Sequence, residues 1–318
     1  MATIEDRHYL TLAAIRRGKR GQPAEYLFNE RQRIFTFQSE SKVARLSAER
    51  LEEALESRRP VLARLDEKAG SIRQVYSLQT KGLAQFAAER AYLDKPEKTH
   101  SIDLSKIDPT KFNIVDHYLK APIFLRCTRI LPSYAKAKEI FDFCAKQSCH
   151  LGGPFDISPC IPFQYVRDGC YARAHKMRRI ITKRYRYCCE KVFSFANVGN
   201  DRLAVRADKW GGCCVTWWYH VAPLIRVRLR FPFLGRDHSI VLAMVVDPGM
   251  FDKPVLLSSW LSAQENTVCN ANAKVSKWSI QPGSAYAPAN YQGTAFTTDA
   301  NYTATDATLN AYKNLTTC

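Results

Sequence analysis

Apolar and polar positions change period several times along this 318-residue chain. In EYLFNERQRIFTFQ (Glu25–Gln38) the apolar residues approach alternation near the end, at Ile34, then Phe35 and Phe37, which predicts a strand. In SAERLEEALESRRP the spacing changes to that of a helix, with Leu51, Ala54 and Leu55 on one face. Ser47 is placed to cap it, Glu49, Glu52 and Glu53 suit the positive end of its dipole, and Pro60 stops it. VLARLD and SIRQVYSL predict two more strands around Glu67–Gly70, so residues 25–78 read as a small α+β unit. Residues 94–122 lose periodicity and mix Pro, Lys and Asp. They predict a linker whose Lys95, Lys98, Lys106 and Lys111 are open to trypsin-like proteases. PSYAKAKEIFDFCAKQ then has a helical stripe through Ala135, Ile140, Phe141 and Cys144, and DGCYARAHKMRR opens a second helix at Cys170. Residues 213–221 and 240–247 are apolar and β-branched enough for central strands. The nearly uncharged tail from Asn270 carries regular Tyr and Trp and ends in Cys318, which predicts packed polar strands rather than disorder.

Composition sharpens this division. All 11 cysteines lie at or beyond Cys127. Such crowding favours disulfides and an oxidising compartment, and an odd number leaves at least one thiol unpaired or intermolecular. Cys213 and Cys214 are expected to take separate partners, because a bond between neighbours strains the peptide. The chain has no CxxC pair, and the doublets 188–189 and 213–214 space poorly for tetrahedral zinc, so no metal site is expected. The formal net charge is +17, most of it beyond residue 120. KMRRIITKRYRY, with arginines beside tyrosines, allows a nucleic-acid-binding reading, but such a run is more often a solvated helix face. No apolar run is long enough to span a membrane. The first residues lack the basic-then-apolar order of a signal peptide, which leaves the route of export open for a chain expected to be secreted.

The candidate chemistry starts at Cys170. A helix N-terminus stabilises a thiolate, and Gly169 lets the chain turn sharply and a substrate approach. The alternative is a disulfide cysteine that happens to start a helix. His220 lies in an apolar strand-like run, either as a base or as a core histidine satisfied by backbone. His175, five residues after Cys170, points away from it on one helix and is expected to pack or cap. Asp247 closes SIVLAMVVDPG, either as a paired carboxylate or as an Asx-Pro turn. Cys, His and Asp in that order fit thiol acyl transfer.

Six segments resemble the bacterial protein-glutaminases, secreted deamidases of protein-bound glutamine: QSC (147–149), SPCI (158–161), DGCYARAHKMR (168–178), CEK (189–191), CCVTWWYHVA (213–222) and VVDPGMF (245–251). The resemblance covers about residues 127–318. It implies Cys170 as nucleophile, His220 as base and Asp247 as orienting acid, with no cofactor and no metal. It also implies an α+β catalytic fold akin to transglutaminases and papain-like proteases, preceded by a pro-region that keeps the enzyme inactive. Residues 25–78 resemble that pro-region more weakly, and ILP (130–132) would lie near the start of the mature enzyme. The expected organisation is a pro-domain (1–93), a cleavable linker (94–126) and a disulfide-rich catalytic domain (127–318). Trp217, Trp218 and Tyr219 flank the base and are either core aromatics or pocket wall; Trp217 aligns with a family tryptophan, and with Tyr219 it is the expected substrate contact. Ile34, Phe35 and Phe37 are expected to make the pro-domain contact. Cys127, Cys144 and Cys188 look like additions to the family's set, and Gln264 stands where the family has a cysteine. Expected partners are glutamine-containing proteins or peptides and an activating protease, with no membrane or nucleic acid and the chain a monomer. A transglutaminase would share the thioester but accept a lysine amine. A thiol protease would have a cleft open to backbone amides.

Overall fold

A computed structural model of the chain describes residues 7–18, 22–78, 83, 93–98, 100–103, 130–197, 199, 201–233 and 236–318. The N-terminal unit is a six-stranded sheet with one helix on it. Its strands are β1 (Arg7–Leu10), β2 (Leu12–Arg16), β3 (Glu25–Phe28), β4 (Ile34–Thr36), β5 (Val61–Asp66) and β6 (Ser71–Ser77), in the order β1-β5-β6-β4-β3-β2. Only the β4–β6 pair is parallel. The helix α1 (Lys42–Ser57) buries Leu51 and Ala54 against the core formed by Leu10, Phe28, Phe35, Val61, Ala63, Leu65, Ile72 and Val75.

The expected helix is present but begins earlier. Ser41, not Ser47, is its cap, its Oγ accepting the Ala44 N–H. Ser47 is fully buried and accepts the Val75 N–H, tying helix to sheet. The glutamates therefore lie in the helix interior rather than in its first turn. The helix ends at Arg58 in a left-handed turn, before Pro60.

Two short strands follow, β7 (Leu93–Lys98) and β8 (His100–Asp103). From Asp94 on they fall within the segment expected to be linker, and they are paired: β8 joins the main sheet of the C-terminal unit beside β15 (Lys277–Gln281), and β7 joins a smaller sheet beside β17 (Ala295–Asp299). Lys95 and Lys98 belong to β7. Residues 104–129, with Lys106, Lys111 and Cys127, lie outside the described residues.

The C-terminal unit is built on an antiparallel sheet of order β14-β13-β12-β9-β15-β8. Its other members are β9 (Glu190–Phe195), β12 (Tyr219–Phe233), β13 (Arg236–Val245) and β14 (Val255–Leu256). The helices α2 (Tyr134–Lys146) and α3 (Cys170–Arg179) pack on β12. Ser133 caps α2, and Ile140, Phe141 and Cys144 face inward. Smaller elements complete it: the hairpin β10 (Leu203–Arg206) with β11 (Cys214–Trp217), α4 (Leu257–Ser262), β16 (Ala285–Pro288) beside β17, and α5 (Thr303–Tyr312). The polar tail is thus ordered structure.

Disulfides join Cys149 to Cys160, Cys213 to Cys318 and Cys214 to Cys269, so the neighbouring cysteines do take separate partners. Cys188 is also disulfide-bonded. Gln264 is fully buried, accepting from Ser194 Oγ at 2.6 Å and donating to the Trp260 carbonyl. Cys213–Cys318 closes a sequence separation of 105 and holds the chain end against the loop before α3. There Thr317 N–H donates to the Gln164 carbonyl, and its Oγ1 accepts the Val166 N–H. For a loop this long the chain-entropy model gives about 4–5 kcal/mol. Cys318→Ala is therefore expected to lower the urea midpoint accordingly. An unchanged midpoint would show that the bridge adds no stability.

Candidate active site

Cys170 is the first residue of α3 and is buried with a free thiol, like Cys144 and Cys189 among the described residues. Gly169 precedes it at φ +79°, where a side chain is strained, and a Cβ there would lie 2.8 Å from the Tyr312 ring. The left-handed turn thus sets the direction of the first N–H of α3, a helix packed on β12.

His220 is the second residue of β12, opposite Ser194 on β9. Asp247 follows the end of β13 by two residues. His220 Nε2 is 2.8 Å from Asp247 Oδ2, which also accepts the Trp260 indole N–H at 3.0 Å. The imidazole lies between two indoles, stacked on Trp217 at 4.5 Å and Trp260 at 5.2 Å. Burial raises the Asp247 carboxyl, but the His220 and Trp260 donors outweigh it and hold the carboxylate ionised. Burial pushes the imidazole down against the pull of Asp247, which favours its neutral form. Its Nε2–H donates to Asp247, leaving Nδ1 as an acceptor. Burial pushes the Cys170 thiol well above its usual range.

That acceptor is occupied. Gln32, from the loop between β3 and β4, is fully buried with its carboxamide Nε2 3.0 Å from His220 Nδ1. Its Oε1 accepts the Cys170 N–H at 3.3 Å. Its backbone N–H donates to Asp168 Oδ1 at 2.8 Å, and its carbonyl accepts the Trp218 N–H at 3.3 Å. Arg31 carries this pairing one way, its carbonyl accepting the Trp218 indole N–H at 2.7 Å, and Arg33 the other, bridging Trp217 antiparallel. Arg31 Nε lies 3.1 Å from Glu67 and 3.6 Å from Asp168, whose Oδ2 also accepts the Tyr312 hydroxyl at 2.9 Å.

The structure thus places Cys170, His220 and Asp247 around one point, with a glutamine side chain at that point. It corrects the contact expected at Ile34, Phe35 and Phe37. Phe35 packs edge-on to Phe28 inside the N-terminal core, and Phe37 packs against that same core. Ile34 alone of the three packs against the core that holds Cys170. Alternation along β4 sends Phe35 to its own sheet's helix face, so the loop before the strand makes the contact. Trp217 lies under the imidazole, its Nε1 bonded to the Val166 carbonyl, and Trp218 takes the contact with the occupying segment. Tyr219 is buried, its hydroxyl without a hydrogen-bond partner among the described residues, within electrostatic reach of Cys170. His175 is internal, between the Asp299 carbonyl and Lys191 Nζ. The basic run starts internally too: Lys176 bonds Ser158 and Asp306, and Arg178 bonds the Tyr302 hydroxyl. Among the described residues no cluster of His, Cys, Asp or Glu could hold a metal ion. Gln32, Asp168 and Trp260 were not singled out from sequence. Their contacts join residues distant in sequence: Asp168 stands beside Gly169 and Cys170 and Gln32 lies inside the segment Glu25–Gln38, but no local pattern marks either.

A free thiol at a helix start, an imidazole–carboxylate pair and a carboxamide of the same chain thus meet at one place. A family model described as glutaminase matches residues 137–264. The fold is similar to a crystal structure of pro-protein-glutaminase (25% identity, TM-score 0.66, covering 98% of this chain and 93% of that one). The C-terminal part is similar to a crystal structure of protein-glutaminase at 32% identity, and to the solution structure of protein-glutaminase from Chryseobacterium proteolyticum at 33%. Both have a TM-score of 0.50 and cover 59% of this chain and 91% of theirs. No curated protein sequence matches significantly. The chain belongs to the protein-glutaminase family.

Trp260→Phe tests the support of the carboxylate. It removes one donor and keeps an aromatic ring near the imidazole. A hydrogen bond to a charged group contributes about 1.5–3 kcal/mol. Once the cleft is open, kcat is expected to fall about 10- to 100-fold with KM little changed, measured as steady-state ammonia release. A loss confined to KM would place Trp260 in substrate binding instead.

Proposed function

We propose that the protein hydrolyses the side-chain amide of glutamine residues in proteins and peptides, releasing ammonia and leaving glutamate, and that its N-terminal unit keeps the site closed until a protease cuts the chain. The observation that carries the reading is the seated carboxamide, with its oxygen on the Cys170 N–H and its nitrogen on His220 Nδ1. Reversing the amide would set donor against donor at Cys170. The orientation is the one acyl transfer from glutamine requires.

In this reading the Cys170 sulfur attacks the amide carbon, and the oxyanion forms where the Cys170 N–H already points. His220 delivers the thiol proton to the departing nitrogen, and ammonia leaves. Water deprotonated by His220 then cleaves the γ-thioester. Asp247 and Trp260 fix the ring so that Nδ1, not Nε2, faces the substrate. The Trp217–Trp218 edge and Asp168 hold the backbone of the substrate as they hold that of Gln32. Disulfides and a family of pro-enzymes support secretion. No helix among the described residues is long and apolar enough to cross a membrane.

The test is incubation of protease-nicked protein with a glutamine-rich protein. Ammonia without cross-links or fragments is expected. Cross-links would mean that a lysine amine, not water, resolves the thioester, and fragments would mean peptidase activity.

A further inference from the structure

Gln32 offers the site more than shape. Its four polar groups, N–H, C=O, Oε1 and Nε2, all pair with groups of the C-terminal unit. An apolar side chain would close the cleft as well. A glutamine brings the reacting group itself, with carbonyl oxygen and leaving nitrogen each on the partner that acyl transfer uses. Its neighbours Arg31 and Arg33 fix the backbone on either side along the edge of Trp217 and Trp218.

We propose that Gln32 is a substrate in cis, its side chain deamidated once by its own Cys170 to that of a glutamate. The proposal rests on the deamidase reading above. In the first half, the bond from Cys170 Sγ to the Gln32 side-chain carbonyl carbon forms and the carbon–Nε2 bond breaks. The thiol proton passes through His220 to the nitrogen, which leaves as ammonia. In the second half, water adds to the thioester carbon and the carbon–sulfur bond breaks. The water's proton returns through His220 to the sulfur, leaving a glutamate carboxyl at residue 32.

Two effects set the rate against each other. Burial holds the thiol protonated and excludes the second-step water, which must wait for the loop to open. Opposing this, the amide is held at the nucleophile, and well-oriented intramolecular partners reach effective molarities of about 10⁵–10⁸ M. A kcat of about 10 s⁻¹ slowed about 10⁵-fold still gives a half-time of about two hours. One turnover is all that is needed. The product carboxylate would sit close to the ionised Asp247, where a second buried negative charge is unfavourable. Conversion is therefore expected to loosen the loop that made it.

The experiment is peptide mapping of the intact, uncut chain. Trypsin would excise residue 32 in a dipeptide, so chymotrypsin is used, giving Asn29–Phe35, and fragment ions place any amide-to-acid mass gain at residue 32 rather than Asn29. Wild type is expected to carry the acid at residue 32, increasingly with incubation, and Cys170→Ala to retain Gln32. His220→Gln gives a second inactive chain should the first fold poorly. Gln32 intact in a wild-type preparation whose nicked form releases ammonia from an added protein overturns the proposal and leaves the deamidase reading standing. Gln32 intact with no such ammonia sinks both. The acid appearing at residue 32 equally in wild type and the inactive variants also overturns it, since the change would then be uncatalysed.

Discussion

Cys170→Ala is expected to cut ammonia release from added protein by about 10⁴-fold or more, with the fold retained. The site supports so large a loss because its parts act on one atom. In the proposed reaction Cys170 supplies the bond-forming sulfur, and its own N–H faces the carbonyl oxygen of the seated amide. His220 and Asp247 have no nucleophile to serve without it. The substitution removes a buried sulfur and leaves Gly169, the helix start and the disulfides in place, so thermal unfolding should shift little. The decisive comparison is nicked wild type against nicked variant. Ammonia release by the variant within about tenfold of wild type would remove Cys170 from the reaction, given that loss of a nucleophile removes the full triad contribution.

Cutting between the two units and letting the N-terminal unit leave is expected to raise activity at least about 100-fold, the low end of what tethering contributes to an intramolecular contact. In the intact chain Gln32 occupies the amide position, Arg31 and Arg33 occupy the flanking backbone edge, and Ile34 packs on the core behind the nucleophile. Away from the site, Arg16 bonds the Asn197 carbonyl and Arg202 pairs with Glu25. In the proposed reading an external glutamine must displace all of this against a competitor that cannot diffuse away. Ammonia release is followed against linker cleavage on a gel. An uncut chain as active as the cut one would show that the covering loop opens freely, and the inhibitory role would be wrong.

The candidate groups Cys170, His220 and Asp247 stand out in the sequence because each carries a local signature. A cysteine after glycine at a helix start, a histidine inside an apolar strand and an aspartate closing another are unusual where they stand. The covering contact was not visible in the same way. Alternation at Ile34, Phe35 and Phe37 says that one face of a strand is buried, but not in which of two cores. Gln32 lies in a polar loop that nothing local distinguishes. It meets Cys170 from 138 residues away and His220 from 188. Trp260 reads as one more core aromatic until β13 and α4 bring it onto Asp247. The misplaced cap has a similar cause, since Ser41 and Ser47 are equal candidates until packing buries one of them. Lys95 and Lys98 read as linker because edge strands can be short and polar, and the strand they pair with, Ala295–Asp299, is distant in sequence.

Those edge strands make the position of the cut matter. β7 and β8 run alongside β17 and β15, past the end of the N-terminal unit. A protease acting ahead of Leu93 leaves both strands with the enzyme, and among the described residues the severed fragment keeps the loop contacts and the Arg16–Asn197 and Arg202–Glu25 pairs. A protease acting after Asp103 leaves them on the fragment, which then remains bound through two added rows of backbone hydrogen bonds. In that case the scissile event does not switch the enzyme on. It creates a complex with a dissociation constant, and specific activity should climb as the preparation is diluted.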